Sequence, residues 1–140
     1  MFETLGHYKI LDRIGTGGIG EVYRARDTRL GRTVAIKVVK ADIADDPDRR
    51  GRFLQDARAA AALSHPNIAA LYEIGEDQDQ LFLVFEYVPG ETLKKAIAGR
   101  PLNPRRAIDH ARLNASRWIG RPSFKYLISK LVSVRSSAVP

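Results

Sequence analysis

The stretch "RIGTGGIGEVYRARDTRLGRTVAIK", Arg13–Lys37, joins a glycine loop of spacing G-x-G-x-x-G to a lysine inside an apolar, β-branched segment. Glycine loops of this spacing occur in two unrelated kinds of nucleotide site. In a dinucleotide-binding fold the third glycine opens a helix. Here Gly20 is followed by "EVYRARD", which is strand-like, and then by another strand. This order argues against a dinucleotide site, and the lack of G-K-[ST] argues against a Walker-type loop.

Apolar and β-branched patterns predict several short strands and one long helix before Asp109. Asp46 and Pro47 are typical of a helix start, and the alanine-rich segment continues the helix to about Leu63, with Phe53, Ala57 and Ala60 on its buried face. "HPNI", residues 65–68, ends it, and short helices are predicted over 91–98 and from Asn103–Pro104. The predicted strands are Tyr8–Ile14, Glu21–Arg26, Arg32–Lys40, Ala70–Gly75 and Gln80–Val88. We therefore expect an α+β fold, a five-stranded antiparallel sheet with one main packed helix.

Two motifs at the right separation identify a family resemblance. Gly15, Gly17, Gly20 and Val22 match G-x-G-x-x-G-x-V, and Val34–Lys37 matches V-A-I-K. Together they resemble the start of the protein kinase catalytic domain. "RFLQDARAAAALSHPNI" resembles the third helix of that family and "LFLVFEYVPGETL" its fifth strand and hinge. The sequences of these segments are most similar to those of bacterial serine/threonine kinases. The resemblance implies that residues 1–111 form the N-terminal lobe, the hinge and the start of the second lobe.

The resemblance implies an ATP site. Glycines let backbone amides approach phosphate oxygens, and Lys37 would lie against the α and β phosphates. Val22 and Ala35 would cover the adenine ring, Phe85 would close the back of the pocket, and the Glu86 carbonyl and Val88 amide would pair with the adenine edge. The full set of residues expected to contact the nucleotide is Ile14, Gly15, Gly17, Gly18, Gly20, Val22, Ala35, Lys37, Phe85, Glu86 and Val88.

The expected partner of Lys37 departs from the family pattern. Family members place a glutamate on the third helix, where this chain has Asp56. One methylene fewer shortens the reach of the carboxylate by about 1.5 Å. We predict an ion pair between Lys37 and Asp56, with an i, i+4 contact from Asp56 to Arg52 as the alternative.

The sequence contains neither of the family's catalytic motifs from the second lobe. H-R-D-x-x-x-x-N and D-F-G are absent, and His110 is followed by Ala111 and Arg112. In the family these motifs supply the catalytic Asp and the magnesium ligands. The chain is therefore expected to bind ATP without a complete catalytic set and without its own metal site. The alternative function is a non-catalytic module that binds another kinase or a regulator.

Charge separates the C-terminal tail, residues 112–140, from the rest of the chain. Residues 1–109 carry 17 basic and 16 acidic side chains, whereas residues 110–140 carry six basic and no acidic ones. This tail resembles no kinase segment and is expected to be poorly packed. A frameshift or truncation in a kinase gene would explain the change, although the tail also has a weak basic amphipathic pattern that could touch a membrane surface or nucleic acid.

Composition predicts a cytoplasmic protein. Cysteine is absent, which fits a reducing compartment. The longest apolar run, Leu81–Phe85, is far shorter than a membrane span. The N-terminus lacks the basic segment followed by an apolar segment that is typical of a secretion signal. The near-neutral balance of residues 1–109 predicts no nucleic-acid partner for them.

Overall fold

The computed structural model of the chain describes residues 3–64, 69–90 and 104–105. Within these residues the chain forms one antiparallel sheet of six strands: β1 (Thr4–Leu5), β2 (Tyr8–Thr16), β3 (Gly20–Asp27), β4 (Arg32–Val39), β5 (Leu71–Asp77) and β6 (Gln80–Glu86). Two helices, α1 (Ala41–Ala44) and α2 (Pro47–Ala61), lie between the fourth and fifth strands. The order of the strands in the sheet is β1-β2-β3-β4-β6-β5.

The predicted fold class is confirmed, with one strand more than expected. The additional strand, β1, has only two residues, Thr4 and Leu5, and pairs with the start of β2. Gly6 turns the chain between them with a φ of 55°, a conformation that glycine adopts without steric cost. Two residues are too few to show an alternating pattern, but Leu5 is fully buried, which explains why this segment returns to the sheet.

The main helix begins where the sequence predicts. The Asp46 carboxylate accepts hydrogen bonds from the amides of Asp48 and Arg49, both at 3.0 Å, so it caps the first turn. The helix ends at Ala61, two residues before the predicted end, and Ala60 is only half-buried. The buried residues of α2 are Phe53 and Ala57. The four-residue helix α1 was not expected.

Several predicted features lie outside the described residues. These are the helix-ending segment 65–68, the short helix over 91–98, His110 and the C-terminal tail. Of the helix expected from Asn103–Pro104, only Pro104 and Arg105 are described, and both are helical.

The central strand β4 is buried on both faces. Val34, Ile36 and Val38 belong to a core shared with β1, β2, β3 and β6, which we call the outer core. Val39, and Ala35 at its margin, belong to a second core that also holds Phe53 and Ala57 of α2, which we call the helix-side core. The sheet therefore carries one apolar layer on each face.

The β5–β6 hairpin ties the two edges of the sheet together. The Gly6 amide donates to Asp77 Oδ2 at 2.8 Å, and Gln78 Nε2 donates to the Thr4 carbonyl at 3.0 Å. The Tyr8 hydroxyl donates to Glu73 Oε2 at 2.5 Å. Because β1 and β5 are the first and last strands of the sheet order, these bonds require a strongly curled sheet.

Replacing Asp79 by glycine is expected to stabilise the fold. Gln78 and Asp79 form the two-residue β5–β6 turn with φ values of 51° and 58°, which side chains other than glycine adopt at a cost. Asp79→Gly should raise the free energy of unfolding by about 0.5–1 kcal/mol in urea denaturation. Gln78→Gly is the matched control, because it relieves the same strain but removes the bond to the Thr4 carbonyl. Equal stabilisation by both substitutions would contradict a role for that bond.

The Tyr8–Glu73 hydrogen bond predicts a specific loss of stability at high pH. Burial, and then the bond to Glu73, raise the pKa of the Tyr8 phenol well above its usual value. A raised pKa contributes stability that is complete below the unfolded-state value of about 10 and is lost as the pH rises through the folded-state value. The stability difference between the wild type and Tyr8→Phe should therefore begin to shrink at about pH 10, the unfolded-state value, and should continue to shrink as the pH rises further. A difference independent of pH would contradict this.

Candidate functional site

Lys37 lies on the face of the sheet that α2 covers. The register places Lys37 directly opposite Val22 of β3 and Leu83 of β6, and opposed residues of an antiparallel pair share a face. Leu83 belongs to the helix-side core together with Phe53 and Ala57. Lys37 is only 2% exposed. Burial of an ammonium group is costly without compensating charge or hydrogen bonds, so this position is suited to a negative group.

The apolar residues of the predicted adenine site form the next row of the same face. Ala35 is directly opposite Phe85, and this pair lies two residues from the Lys37 row, with Ala35 before Lys37 on β4 and Phe85 after Leu83 on β6. Phe85 is 7% exposed, whereas Ala35 and Val22 are half-buried. The structure therefore brings Val22, Ala35, Lys37 and Phe85 together on one surface.

The glycine loop connects β2 and β3 at the end of the Lys37 row. Gly15 is directly opposite Val22. The Gly17 amide donates to the Gly20 carbonyl at 2.8 Å, which closes a tight turn, and Gly17 and Gly18 are exposed. The loop thus presents exposed backbone beside the surface that carries Lys37.

Packing explains the presence of glycine at one position of this loop but not at two others. A Cβ at Gly20 would lie 1.7 Å from the Val38 carbonyl oxygen, so the packing of β3 on β4 demands glycine there. A Cβ at Gly15 or Gly17 would come no closer than 3.9 Å to a described atom, which is ordinary contact. The packing of the described residues therefore does not explain these two glycines. The approach of a ligand to the backbone would explain them.

Ile19 fixes the tip of the glycine loop, and the sequence prediction missed it. Its side chain is 6% exposed in the helix-side core beside Val39 and Ala44. The Ile19 carbonyl accepts a hydrogen bond from the Lys40 amide at 2.9 Å. A bulky apolar residue between the glycines of an otherwise polar loop was the available signal for this contact.

The remaining predicted contact residues border the same surface. Ile14 is 43% exposed on β2, within an irregular register between Arg13 and Gly15. Glu86 is the last residue of β6, and its amide donates to the Ala70 carbonyl at 2.8 Å. Val88 follows two residues later and is half-buried. The contacts of the Glu86 carbonyl and the Val88 amide with an adenine ring stay predictions.

Asp56 is half-buried on α2, next to the buried Ala57. Among the ion pairs between described residues, none joins Asp56 to Lys37 or to Arg52. α2 packs on the face of the sheet that carries Lys37, but the pair between Lys37 and Asp56 stays a prediction.

Comparison with known proteins identifies the family. The protein kinase domain profile matches residues 8–117 of this chain. The chain belongs to the protein kinase family. A probable serine/threonine-protein kinase of Streptomyces coelicolor is 46% identical over 109 residues, and the serine/threonine-protein kinase PrkC of Bacillus subtilis is 46% identical over 105 residues. Each match covers 74% of this chain but only 16% of the relative, so the chain spans about one sixth of the length of these kinases.

A solved kinase structure shows the same architecture. The crystal structure of the PknI kinase domain from Mycobacterium tuberculosis superposes with a TM-score of 0.70 at 27% sequence identity. The match covers 80% of this chain and 46% of the PknI chain. The curled sheet with its packed helix is therefore the N-terminal lobe of a protein kinase.

The different surroundings of the loop glycines predict different effects of substitution. Gly20→Ala should lower the free energy of unfolding by about 1–3 kcal/mol, because its Cβ meets rigid backbone. Gly17→Ala should change stability by less than about 0.5 kcal/mol. Urea denaturation of both variants measures the difference. Similar losses in the two variants would show that the approach of Gly20 to β4 is not the cause.

Proposed function

We propose that this chain is the ATP-binding lobe of a serine/threonine protein kinase and that it binds ATP in the surface formed by the glycine loop and Lys37. The observation that carries the proposal is the buried Lys37 in register with Val22, beside a loop in which Gly15 and Gly17 leave room for a ligand. A buried cation beside an exposed glycine backbone is a chemical arrangement that suits phosphate oxygens.

Each part of the surface has a separate task in this proposal. The exposed backbone of the glycine loop contacts the phosphates, with Ile19 holding the loop tip in the helix-side core. The Lys37 ammonium stabilises the negative charge of the α and β phosphates. Ile14, Val22 and Ala35 contact the adenine ring, and Phe85 closes the apolar end of the pocket. Apolar walls with a few convergent polar groups are typical of small-molecule sites.

Magnesium, which protein kinases use with ATP, finds no ligand set in the described part of the chain. Within residues 3–64, 69–90 and 104–105, no three Asp, Glu or His side chains are grouped so that they could hold a metal ion. In the family the metal ligands and the catalytic Asp come from motifs that this sequence does not contain. We therefore assign ATP binding to these 140 residues and infer that they do not transfer phosphate to protein serine or threonine by themselves.

The domain division and the location of the protein belong to the same proposal. Residues 1–111 form the lobe with its hinge, and residues 112–140 form a separate tail. None of the helices in the described ranges is long and apolar enough to cross a membrane. We propose a cytoplasmic setting on the grounds of composition, with ATP and another kinase or a regulator as partners.

ATP should raise the melting temperature of the full chain. A ligand at about ten times its Kd stabilises the folded state by roughly 1.4 kcal/mol, which corresponds to a shift of several degrees for a domain of this size. The shift is measured with ATP and magnesium for the wild type and for Lys37→Met. Lys40→Met is the matched control, because Lys40 is exposed and only three residues further along.

We expect the shift in the wild type and in Lys40→Met, and a much smaller one in Lys37→Met. A wild-type chain that does not respond to millimolar ATP would refute nucleotide binding and favour the non-catalytic module. An equal shift in Lys37→Met would refute only the role of Lys37 and would leave nucleotide binding in place.

A further inference from the structure

Two side chains of α2, Phe53 and Ala57, are buried, and Leu54 is partly buried against the same core. All three are apolar and make no directional bond, and Ala57 is small. Contacts of this kind hold a helix near a sheet, but they specify its rotation and its position along the axis weakly. A directional contact between polar groups would define more closely where the side chains of α2 lie relative to β4.

Arg50 supplies that contact. It lies three residues before Phe53, so Arg50, Phe53 and Ala57 follow one stripe of the helix. Its guanidinium makes a two-pronged contact with Glu76 of β5, with Nη2 to Oε2 at 2.7 Å and Nη1 to Oε1 at 3.3 Å. Nη1 also lies 3.4 Å from the Ala44 carbonyl at the end of α1. A paired geometry of this kind fixes orientation as well as distance.

Glu76 connects this contact to the row that contains Lys37. Glu76 is two residues from Ile74 on β5, and Ile74 is directly opposite Leu83, which is opposite Lys37. Arg50 therefore joins α2 to the same part of the sheet that carries the lysine. Asp56 follows Arg50 by six residues, about 9 Å along the helix axis. Rotation or sliding of α2 would move Asp56 relative to Lys37.

We propose that Arg50 is a positioning residue for the nucleotide site: by binding Glu76 it sets the placement of α2 on the sheet and thereby the approach of Asp56 to Lys37. The inference rests on the proposed function as far as nucleotide affinity is concerned. The short side chain of Asp56 makes this placement more critical than a glutamate would, because less reach is left to compensate for a displaced helix.

The neighbouring residue Arg49 provides a matched control. Its Nη1 lies 3.2 Å from Asp42 Oδ2, so it also forms an ion pair, and both partners are exposed. That pair joins α1 to α2 and makes no link to the sheet. Arg49→Ala therefore removes the same side chain and the same kind of interaction, one position away, without releasing α2 from β5.

The test uses the full chain with two readouts. The chain contains no cysteine, so Arg26→Cys on β3 and Ala59→Cys on α2 place two spin labels at exposed positions without interference. Double electron–electron resonance then reports the distribution of distances between helix and sheet. Fluorescence titration with the nucleotide analogue mant-ATP reports affinity. Both are measured in the wild type, Arg50→Ala, Glu76→Gln, Arg49→Ala and the exchanged pair Arg50→Glu with Glu76→Arg.

We expect Arg50→Ala and Glu76→Gln to broaden or shift the distance distribution and to weaken mant-ATP binding by roughly two- to thirtyfold. Arg49→Ala should leave both readouts unchanged, and the exchanged pair should recover both at least in part. Glu76→Gln removes the charge of Glu76 but keeps the size of its side chain. It therefore tests the same contact even if Arg50→Ala fails to fold.

A distance distribution in Glu76→Gln that matches the wild type would overturn the inference, whatever happens to binding. A changed distribution with unchanged mant-ATP affinity would overturn the link between α2 placement and the nucleotide site. A wild-type chain that does not bind mant-ATP would refute the proposed function. The distance measurements would then still decide whether Arg50 places α2.

Discussion

The double burial of β4 is the constraint on which the rest of the structure depends. Its side chains alternate between the outer core and the helix-side core, with Ile36 fully buried on one face and Lys37 almost fully buried on the other. A slip by one residue would exchange the two faces and place the lysine among the apolar side chains of the outer core. The cost of that exchange holds the register with β3 and β6, and the register in turn aligns Val22, Lys37 and Leu83.

The acidic side chains of the β5–β6 hairpin connect the other parts of the lobe to this strand. Glu73 binds Tyr8 of β2, Asp77 binds the Gly6 amide, and Glu76 binds Arg50 of α2. Curling of the sheet and placement of the helix therefore depend on one short hairpin. The hydrogen bonds of Arg50 lower the pKa of Glu76, and the bond from the Gly6 amide contributes most to lowering the pKa of Asp77, so both carboxylates are charged at neutral pH.

Features that repeat along the chain could be predicted from the sequence, whereas features that depend on distant residues could not. The longer strands follow from alternating patterns, the start of α2 from the cap at Asp46, and the site surface from a glycine loop and a lysine at family-specific spacing. By contrast, β1 and α1 are too short for a periodic signal. The pairing of Arg50 with Glu76, 26 residues away, arises only when the elements are packed, because either residue alone is an ordinary exposed charge. Asp56 is half-buried on α2, and its predicted ion pair requires a helix placement that sequence spacing does not specify.

The charged β5–β6 hairpin also bears on the solubility of the lobe. An exposed strand at the end of a sheet can pair with a strand of another molecule and begin aggregation, and natural proteins oppose this with charged residues on the edge. β5 is such an end strand, and it carries Glu73, Glu76 and Asp77. The carboxylates that hold the curled sheet and the helix in place therefore also disfavour the addition of a further strand, so a substitution chosen to alter one of these contacts would weaken this protection as well.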